Sequence, residues 1–574
     1  MPCVKPRRDS RNVPIIGLST LLAGGSLLIA ASARPGAQES PSGQPVIGAR
    51  TKKVLSVDGW RFKDLNADGV LETYEDWRLP AEDRVRDLVG RMTLEEKAGL
   101  MLIETLNADC AGAVPATAAD FINTQQMSHF IFRNSVTDAP VCANTSGRNG
   151  QPVTPRQAAE FTNAVQQLRE ATRLGIPALF KSNARNHIDP DARAGINEST
   201  GAFSAFPKEP GIAAAALGTG DMTPVKELAL VAGAEWRSIG LRGMYGYMAD
   251  LSTEPRWFRI HETFSENADV NANVIRTLVE DLQGGPLNPR SPVALTVKHF
   301  PGGGPQELGL DPHYTFGKTQ IYPGGHFAYH LKPFTAAIDA GVSAIMPYYG
   351  VPMNAAYDGV DYDKIGIAFS KQIVTDLLRT RLGFKGYVNS DTGIINNRAW
   401  GLEAQSVSER VATAINSGTE MLSGFSVNKT ITDLVAAGMV SQTRLDESAR
   451  RILKEQFLLG LYENPYIDSG QAAGTVGQAQ FRAKGLDVQR KSIVLLQNQK
   501  QSSGKTLPLK TGARIYTIGD VVKANVERYG FTVTDGNYAA RQTRPTAVGY
   551  DYAFISVTAL NSQSITGAYR SNAA

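Results

Sequence analysis

Gly386-Tyr387-Val388-Asn389-Ser390-Asp391-Thr392-Gly393 is a short apolar strand followed by an acidic residue. A helical pattern precedes it. Between Gln372 and Arg379, the apolar residues Ile373, Leu377 and Leu378 are spaced for one face, and Gly383 and Gly386 then interrupt the helix. In a (β/α) barrel, residues at C-terminal strand ends point into the site, because the loops that line it begin there. A carboxylate so placed serves as a nucleophile or a ligand. The plainer alternative is an Asp that caps the next turn. The rest of the chain decides between them.

The same unit recurs on both sides. Helical patterns over 158–172, 226–238, 274–282, 330–340, 371–380 and 407–416 alternate with apolar runs over 99–104, 127–132, 175–180, 245–251, 293–297, 343–346, 386–389 and 420–422. Such alternation predicts a parallel sheet, and about eight strands predict closure into a barrel rather than an open sheet. The predicted class is α/β: a (β/α)8-like TIM barrel over 80–465, a linker over 466–480, and a short, partial second α/β sandwich unit over 481–574, with 484–497 helical or strand-like at its end and strands at 514–519 and 551–557. The chain has 574 residues, too many for one ordinary core. Its net charge of +4 is small, and no basic stripe with interleaved aromatics is present, which argues against nucleic acid.

The N-terminal segment reads as a removable export signal over 1–33. Lys5, Arg7 and Arg8 precede a mostly apolar run, and Ala31-Ser32-Ala33 is a small-x-small cleavage pattern. A periplasmic or secreted protein with no membrane anchor after cleavage is expected. In that compartment Cys110 and Cys142 pair as a disulfide, the alternative being two free buried thiols. A tether follows over 34–50. Then Asp64, Asn66, Asp68, Gly69, the carbonyl of Val70, and Glu75 meet the EF-hand-like loop pattern, which predicts a structural calcium within 34–79. An Asx-rich turn without metal is the alternative. No cofactor is expected for the chemistry.

Polar residues follow five of the expected strands: Asn183 and Arg185, Asp250, Lys298 with His299, Tyr348, and Asp391. One would be noise, but five at equivalent ends describe a site. No nucleophile elbow, P-loop or dinucleotide fingerprint is present. A carboxylate amid hydroxyl-gripping side chains points to glycoside hydrolysis, which in its retaining form needs a second acid close by.

Several segments carry a resemblance. Met92-Thr93-Leu94-Glu95-Glu96-Lys97, Glu254-Pro255-Arg256-Trp257-Phe258-Arg259, Lys298-His299-Phe300, 386–393, Gly460-Leu461-Tyr462-Glu463-Asn464-Pro465-Tyr466 and Ser492-Ile493-Val494-Leu495-Leu496-Gln497-Asn498 occur in the order found in glycoside hydrolase family 3. The chain resembles the β-glucosidases and exo-β-glucanases of that family over about 80–557. The resemblance implies a barrel followed by an α/β sandwich domain, here shortened. It implies Asp391 as the nucleophile, Lys298, His299 and Arg256 as sugar-binding residues, and Tyr348 beside the nucleophile. Asn183 stands where the family's glucosidases carry an Asp.

The family's two-domain members take their acid/base from a Glu after the strand matching 551–557. Here Thr558-Ala559-Leu560-Asn561-Ser562-Gln563 follows, with no acidic residue beyond it. The barrel holds a substitute. Asp311-Pro312-His313 is similar to the Asp-x-His dyad of the family's β-N-acetylglucosaminidases, in which His is the acid/base and Asp orients it. The implied function is a retaining exo-β-glucosidase acting on β-linked oligosaccharides or glucosides. The alternatives are a β-N-acetylhexosaminidase or β-xylosidase using Asp311 and His313, and a carbohydrate-binding protein with impaired catalysis. The sequence leaves a homodimer open.

Overall fold

The eight strands expected from the helix–strand rhythm are all present in the computed structural model, which describes residues 43–140, 142, 150–188, 201–499 and 504–557. They are β1 (Leu102–Thr105), β2 (His129–Ile131), β3 (Leu179–Asn183), β4 (Leu241–Tyr245), β5 (Ala294–Phe300), β6 (Ala344–Pro347), β7 (Tyr387–Val388) and β8 (Leu422–Ser423). The sheet runs β7-β6-β5-β4-β3-β2-β1-β8, with every pair parallel. A parallel bridge between Asn389 and Met421 joins the two outer strands, so the sheet closes on itself and has no free edge.

Two strands lie away from their expected positions. The fourth begins at Leu241, so Asp250 lies in the loop beyond it rather than near its end. The third ends on Asn183, three residues later than its apolar run suggests, because Lys181 and Ser182 are buried in the barrel with partners of their own. Lys181 Nζ donates to Thr296 Oγ1 at 2.9 Å and to Tyr387 OH at 2.5 Å. Tyr387 in turn donates to Glu455 at 2.8 Å. Apolar periodicity cannot register a strand whose polar residues are satisfied from across a barrel.

Local signals at the entry to the barrel hold. Helix Ala81–Arg91 buries Val85, Leu88 and Val89, and Thr93 with Glu96 forms the full capping box of helix Leu94–Leu100. The N-terminal segment is clasped to the barrel wall by one carboxylate. Glu170 Oε1 accepts the N–H groups of Arg50, Thr51 and Lys52, and its Oε2 accepts Tyr466 OH at 2.6 Å. The 466–480 stretch contains helix Ser469–Thr475, capped by Asp468 and packed on helix Pro155–Glu170. Cys110 and Cys142 are bonded, with Cα atoms 5.1 Å apart.

The calcium-pattern loop is closed by its own hydrogen bonds. A hairpin of Val54–Val57 and Trp60–Lys63 leads into it, and the next helix begins at Ala81. Its acidic side chains turn to backbone donors. Glu75 Oε1 accepts from Leu65 N at 2.6 Å, Asp68 from Val70 N at 2.8 Å, and Asp64 Oδ2 from Gly69 N at 3.1 Å. Asn66 bonds Asp68. Among the described residues no three His, Cys, Asp or Glu side chains gather around a metal position.

Beyond the barrel, a three-stranded parallel sheet has the order β10 (Thr532–Asp535), β9 (Arg514–Ile518), β11 (Tyr552–Ile555). The expected export signal, most of the tether, and the Thr558–Gln563 stretch lie outside the described residues. Among those described, no helix is long and apolar enough to cross a membrane.

Candidate active site

The nucleophile candidate is fixed by the closure of the barrel. Ser390 N donates to Met421 O, Ser423 N to Ser390 Oγ at 2.9 Å, and Gly393 N to Ser423 O at 2.8 Å. Gly393 has φ +82°, a conformation that favours glycine, and a Cβ on Gly424 would stand 2.9 Å from Gly393 N. The turn is thereby held rigid, with Asp391 at its tip and 15% of its side chain exposed. Its Oδ1 accepts from Thr392 N at 2.7 Å, and its Oδ2 lies 3.6 Å from His299 Nε2. Burial alone would raise its pKa. The neighbouring His299, His313 and Lys298, with the Thr392 N–H, outweigh that and hold the carboxyl below its ordinary value.

His299 is set by Asp250. Asp250 Oδ2 accepts His299 Nδ1–H at 2.7 Å, and its Oδ1 accepts the backbone N–H groups of His299 and Gly303. Burial holds His299 well below the usual imidazole range, with Arg259 adding to it. Its Nε2 lies toward Asp391 and Arg259. Asp250 itself is fully enclosed, and burial pushes it up to about 6 against its N–H donors. It is a positioning residue and not, as expected, a sugar contact, because both its oxygens are occupied by protein. Lys298 Nζ donates to Asn183 Oδ1 at 3.2 Å, so the expected Lys298 and Asn183 come together. Burial, reinforced by Arg259, brings Lys298 down to about 8.

Three further expectations are corrected. Arg185 is fully buried and held by Phe132 O, Asn134 O and Ser182 Oγ, which leaves it a structural brace rather than a substrate contact. Arg256 points outward with 61% of its side chain exposed, forked onto Glu254 at 2.7 Å. The arginine inside the site is Arg259, three residues on. It is paired with Glu262 at 2.7 Å, and its Nη1 lies 3.5 Å from His299 Nε2. A motif match identifies the segment but not which of its two arginines turns inward. Tyr348 is buried against His299, ring centroids 5.0 Å apart, and its hydroxyl has no hydrogen-bond partner. Its neighbour Tyr349 is the tyrosine at the nucleophile turn, donating to Thr392 O at 2.6 Å and interacting with Asp391.

Asp311 and His313 form the expected pair. Asp311 Oδ1 accepts His313 Nδ1–H at 2.5 Å, and Asp311 Oδ2 accepts Trp257 Nε1–H at 2.8 Å. Burial opposes ionisation of Asp311, but His313, Arg259 and Trp257 together hold it well below the carboxylate range. The pair is anchored to the nucleophile turn. Arg398 donates to both His313 O and Thr392 O, and Trp400 Nε1 to Pro312 O at 2.9 Å. His313, 19% exposed, packs edge-on against Tyr349. Sequence reading missed Arg259, Glu262, Tyr349, Arg398 and Trp400. For the last three the only signal was closeness in sequence to Tyr348 and Asp391.

A parallel barrel with an ionised carboxylate at a strand end, a buried Lys-His pair and a second Asp-His pair defines a glycosidase-type site. The family model described as "Glycosyl hydrolase family 3 N terminal domain" matches residues 119–454. A "Periplasmic beta-glucosidase/beta-xylosidase" of Dickeya chrysanthemi is 35% identical over 521 residues, 86% of this chain and 75% of that protein. "Beta-glucosidase C" of Emericella nidulans is 38% identical over 468 residues, 78% and 70% of the two chains. Among solved structures, a β-glucosidase of Erythrobacter marinus superposes with a TM-score of 0.62 at 22% identity, over 81% of this chain and 59% of that one, and supports the fold. The chain belongs to glycosyl hydrolase family 3 and is a glycoside hydrolase.

Proposed function

We propose that the protein is a retaining, exo-acting β-glucosidase that removes terminal β-D-glucosyl residues from oligosaccharides or glucosides. The carrying observation is the Asp391 turn. A carboxylate held below its ordinary pKa lies just beyond β7, 3.6 Å from His299 Nε2 and in the field of His299, His313 and Lys298. In this reading Asp391 attacks the anomeric carbon as the bond to the leaving oxygen breaks, and His313 delivers its Nε2 proton to that oxygen. Asp311 fixes the His313 tautomer. His313 then takes a proton from the water that displaces Asp391 from the sugar. Lys298, Asn183 and Arg259 grip the sugar hydroxyls. The Dickeya and Emericella relatives, both named as β-glucosidases, support a β-glucoside substrate. The periplasmic relative and the N-terminal pattern support an exported protein.

The test is hydrolysis of an aryl β-glucoside beside cellobiose. Asp391→Ala is expected to lose both activities by about 10⁴-fold or more. His313→Ala is expected to lose cellobiose hydrolysis by about 10²–10⁴-fold but the aryl glucoside far less, since its leaving group needs little protonation. Equal losses on both substrates remove His313 as the acid. An aryl β-xyloside cleaved faster than the glucoside changes the sugar.

The calcium reading of the 64–75 loop rests on one atom, Asp64 Oδ1, which is buried without a hydrogen-bond partner. Binding would require Asp68 and Glu75 to exchange backbone donors for metal. Calcium is expected to raise Tm by several degrees relative to chelator, and an unchanged Tm retires the site.

A further inference from the structure

The two groups that the proposed mechanism needs stand on different segments. Asp391 lies in the turn beyond β7, and His313 in the segment between β5 and β6. A retaining glycosidase holds its two reacting groups at a set separation, about 5–5.5 Å for a pair of carboxyls. A misplacement of about 1 Å costs about 10²-fold in rate. One side chain joins the two segments. Arg398 is tied by its backbone to the nucleophile turn, its N–H and that of Asn397 donating to Gly393 O at 3.1 and 3.0 Å. Its guanidinium then forks. Nη1 donates to Thr392 O at 3.1 Å, and Nε to His313 O at 3.3 Å.

The fork is packed on its neighbours. Arg398 Cζ lies 5.1 Å from the centroid of the Tyr349 ring. Tyr349 OH donates to the same Thr392 O at 2.6 Å, and its ring meets the His313 ring edge-on, centroids 4.8 Å apart. A Cβ on Gly393 would stand 3.1 Å from Arg398 Nη1, which sets the fork close against the turn. Two residues on, the buried Trp400 donates from Nε1 to Pro312 O at 2.9 Å. Consecutive carbonyls of the acid/base segment, those of Pro312 and His313, are thus both held from 398–400. A guanidinium suits this place because its N–H groups are fixed in one plane, so the two carbonyls it binds cannot separate without losing a bond.

We infer that Arg398 is a positioning residue that holds His313 at its working distance from Asp391. It acts through two backbone carbonyls and not on the sugar. Without the fork, the nucleophile turn keeps its bonds to Met421, Ser423 and Tyr349, so Asp391 stays in place. The Asp311–His313 pair keeps its internal hydrogen bond and its anchor on Trp257. What is lost is the setting of one against the other. Protonation of a poor leaving group then falters, while attack on a good one does not. The inference rests on His313 as the acid/base.

The test measures kcat/KM on cellobiose and on 2,4-dinitrophenyl β-glucoside, which reports the first chemical step for a poor and a good leaving group. Arg398→Ala is expected to lower the cellobiose value by about 30–100-fold and the aryl value by less than about threefold. In a His313→Ala background, Arg398→Ala is expected to cost cellobiose hydrolysis less than about threefold more, because the group it positions is gone. Arg398→Lys is expected to match Arg398→Ala, since one ammonium cannot bind as the planar fork does, whereas millimolar guanidinium chloride is expected to restore Arg398→Ala at least about tenfold and to leave His313→Ala unchanged. Arg398→Gln replaces Arg398→Ala if the latter fails to fold. Equal losses on both substrates, or full additivity with His313→Ala, overturn the inference and leave His313 as the acid. Full activity in Arg398→Lys overturns it too, by showing that charge alone suffices. If His313→Ala itself loses both substrates equally, the acid/base reading falls, and the inference with it.

Discussion

The barrel and the C-terminal sheet are both parallel, yet they bury their strands differently. Every residue of β3, β4 and β5 is buried, including Lys181, Lys298 and His299. In β11 the residues alternate between half-buried and exposed, and the apolar run Ile493-Val494-Leu495-Leu496 stands in solvent, with Leu496 93% exposed. A parallel sheet is ordinarily covered on both faces. The barrel meets that condition by closing on itself and ringing itself with helices, and the low-dielectric interior so made is what shifts Lys298, His299 and Asp250. The open sheet offers no comparable environment. Chemistry follows enclosure here: Asp391, His299, Lys298 and the Asp311–His313 pair all lie on the barrel side.

Substitutions can break that contrast. The largest effect is expected from the two arginines of one motif. Arg259→Ala should lower kcat/KM by about 10²–10³-fold, because it strips a buried cation from beside His299, whereas Arg256→Ala should cost less than about threefold, its exposed fork being screened by water. Similar losses for both would show that the 254–259 loop closes inward on substrate. Next comes Glu262. Burial would raise its carboxyl, but Arg259 overrides burial and brings it to about 2 from an ordinary 4.5. A carboxyl depressed in the folded chain adds stability above its unfolded pKa and loses it as pH falls through the folded value. Glu262→Gln is therefore expected to destabilise by about 2–4 kcal/mol at neutral pH. In urea unfolding the gap from wild type should narrow as pH drops from about 4.5 toward 2. A constant gap would mean that packing, not charge, holds the pair. The smallest effect lies outside the barrel. Leu496→Lys should leave kcat unchanged and shift stability by no more than about 0.5 kcal/mol, while reducing self-association seen by light scattering. A loss of activity there would tie the exposed run to the site.

The barrel was legible because helices and buried strands leave different periods in sequence, and closure of eight such units has few alternatives. Four of the five expected strand-end positions were legible for the same reason, Asp250 lying in the loop beyond its strand. Where the reading slipped, side-chain direction was at stake. Tyr348 and Tyr349 are adjacent and chemically alike, and only the path of the chain beyond β6 puts the second at the Asp391 turn. Asp250 and Arg185 have the chemistry of sugar-binding residues, but protein groups far along the chain occupy them first. The 64–75 loop has the composition of a cation site, and its own N–H groups take most of the oxygens.

Sequence alone determined the fold class, the family, the nucleophile candidate and the Asp311–His313 pairing, because each is written in local spacing or in an ordered set of motifs. Tertiary structure alone decided which arginine and which tyrosine face the site, and that Asp250 aims His299. Those depend on which groups meet across the barrel and on how far burial excludes water from them. Neither is encoded within the reach of a single element.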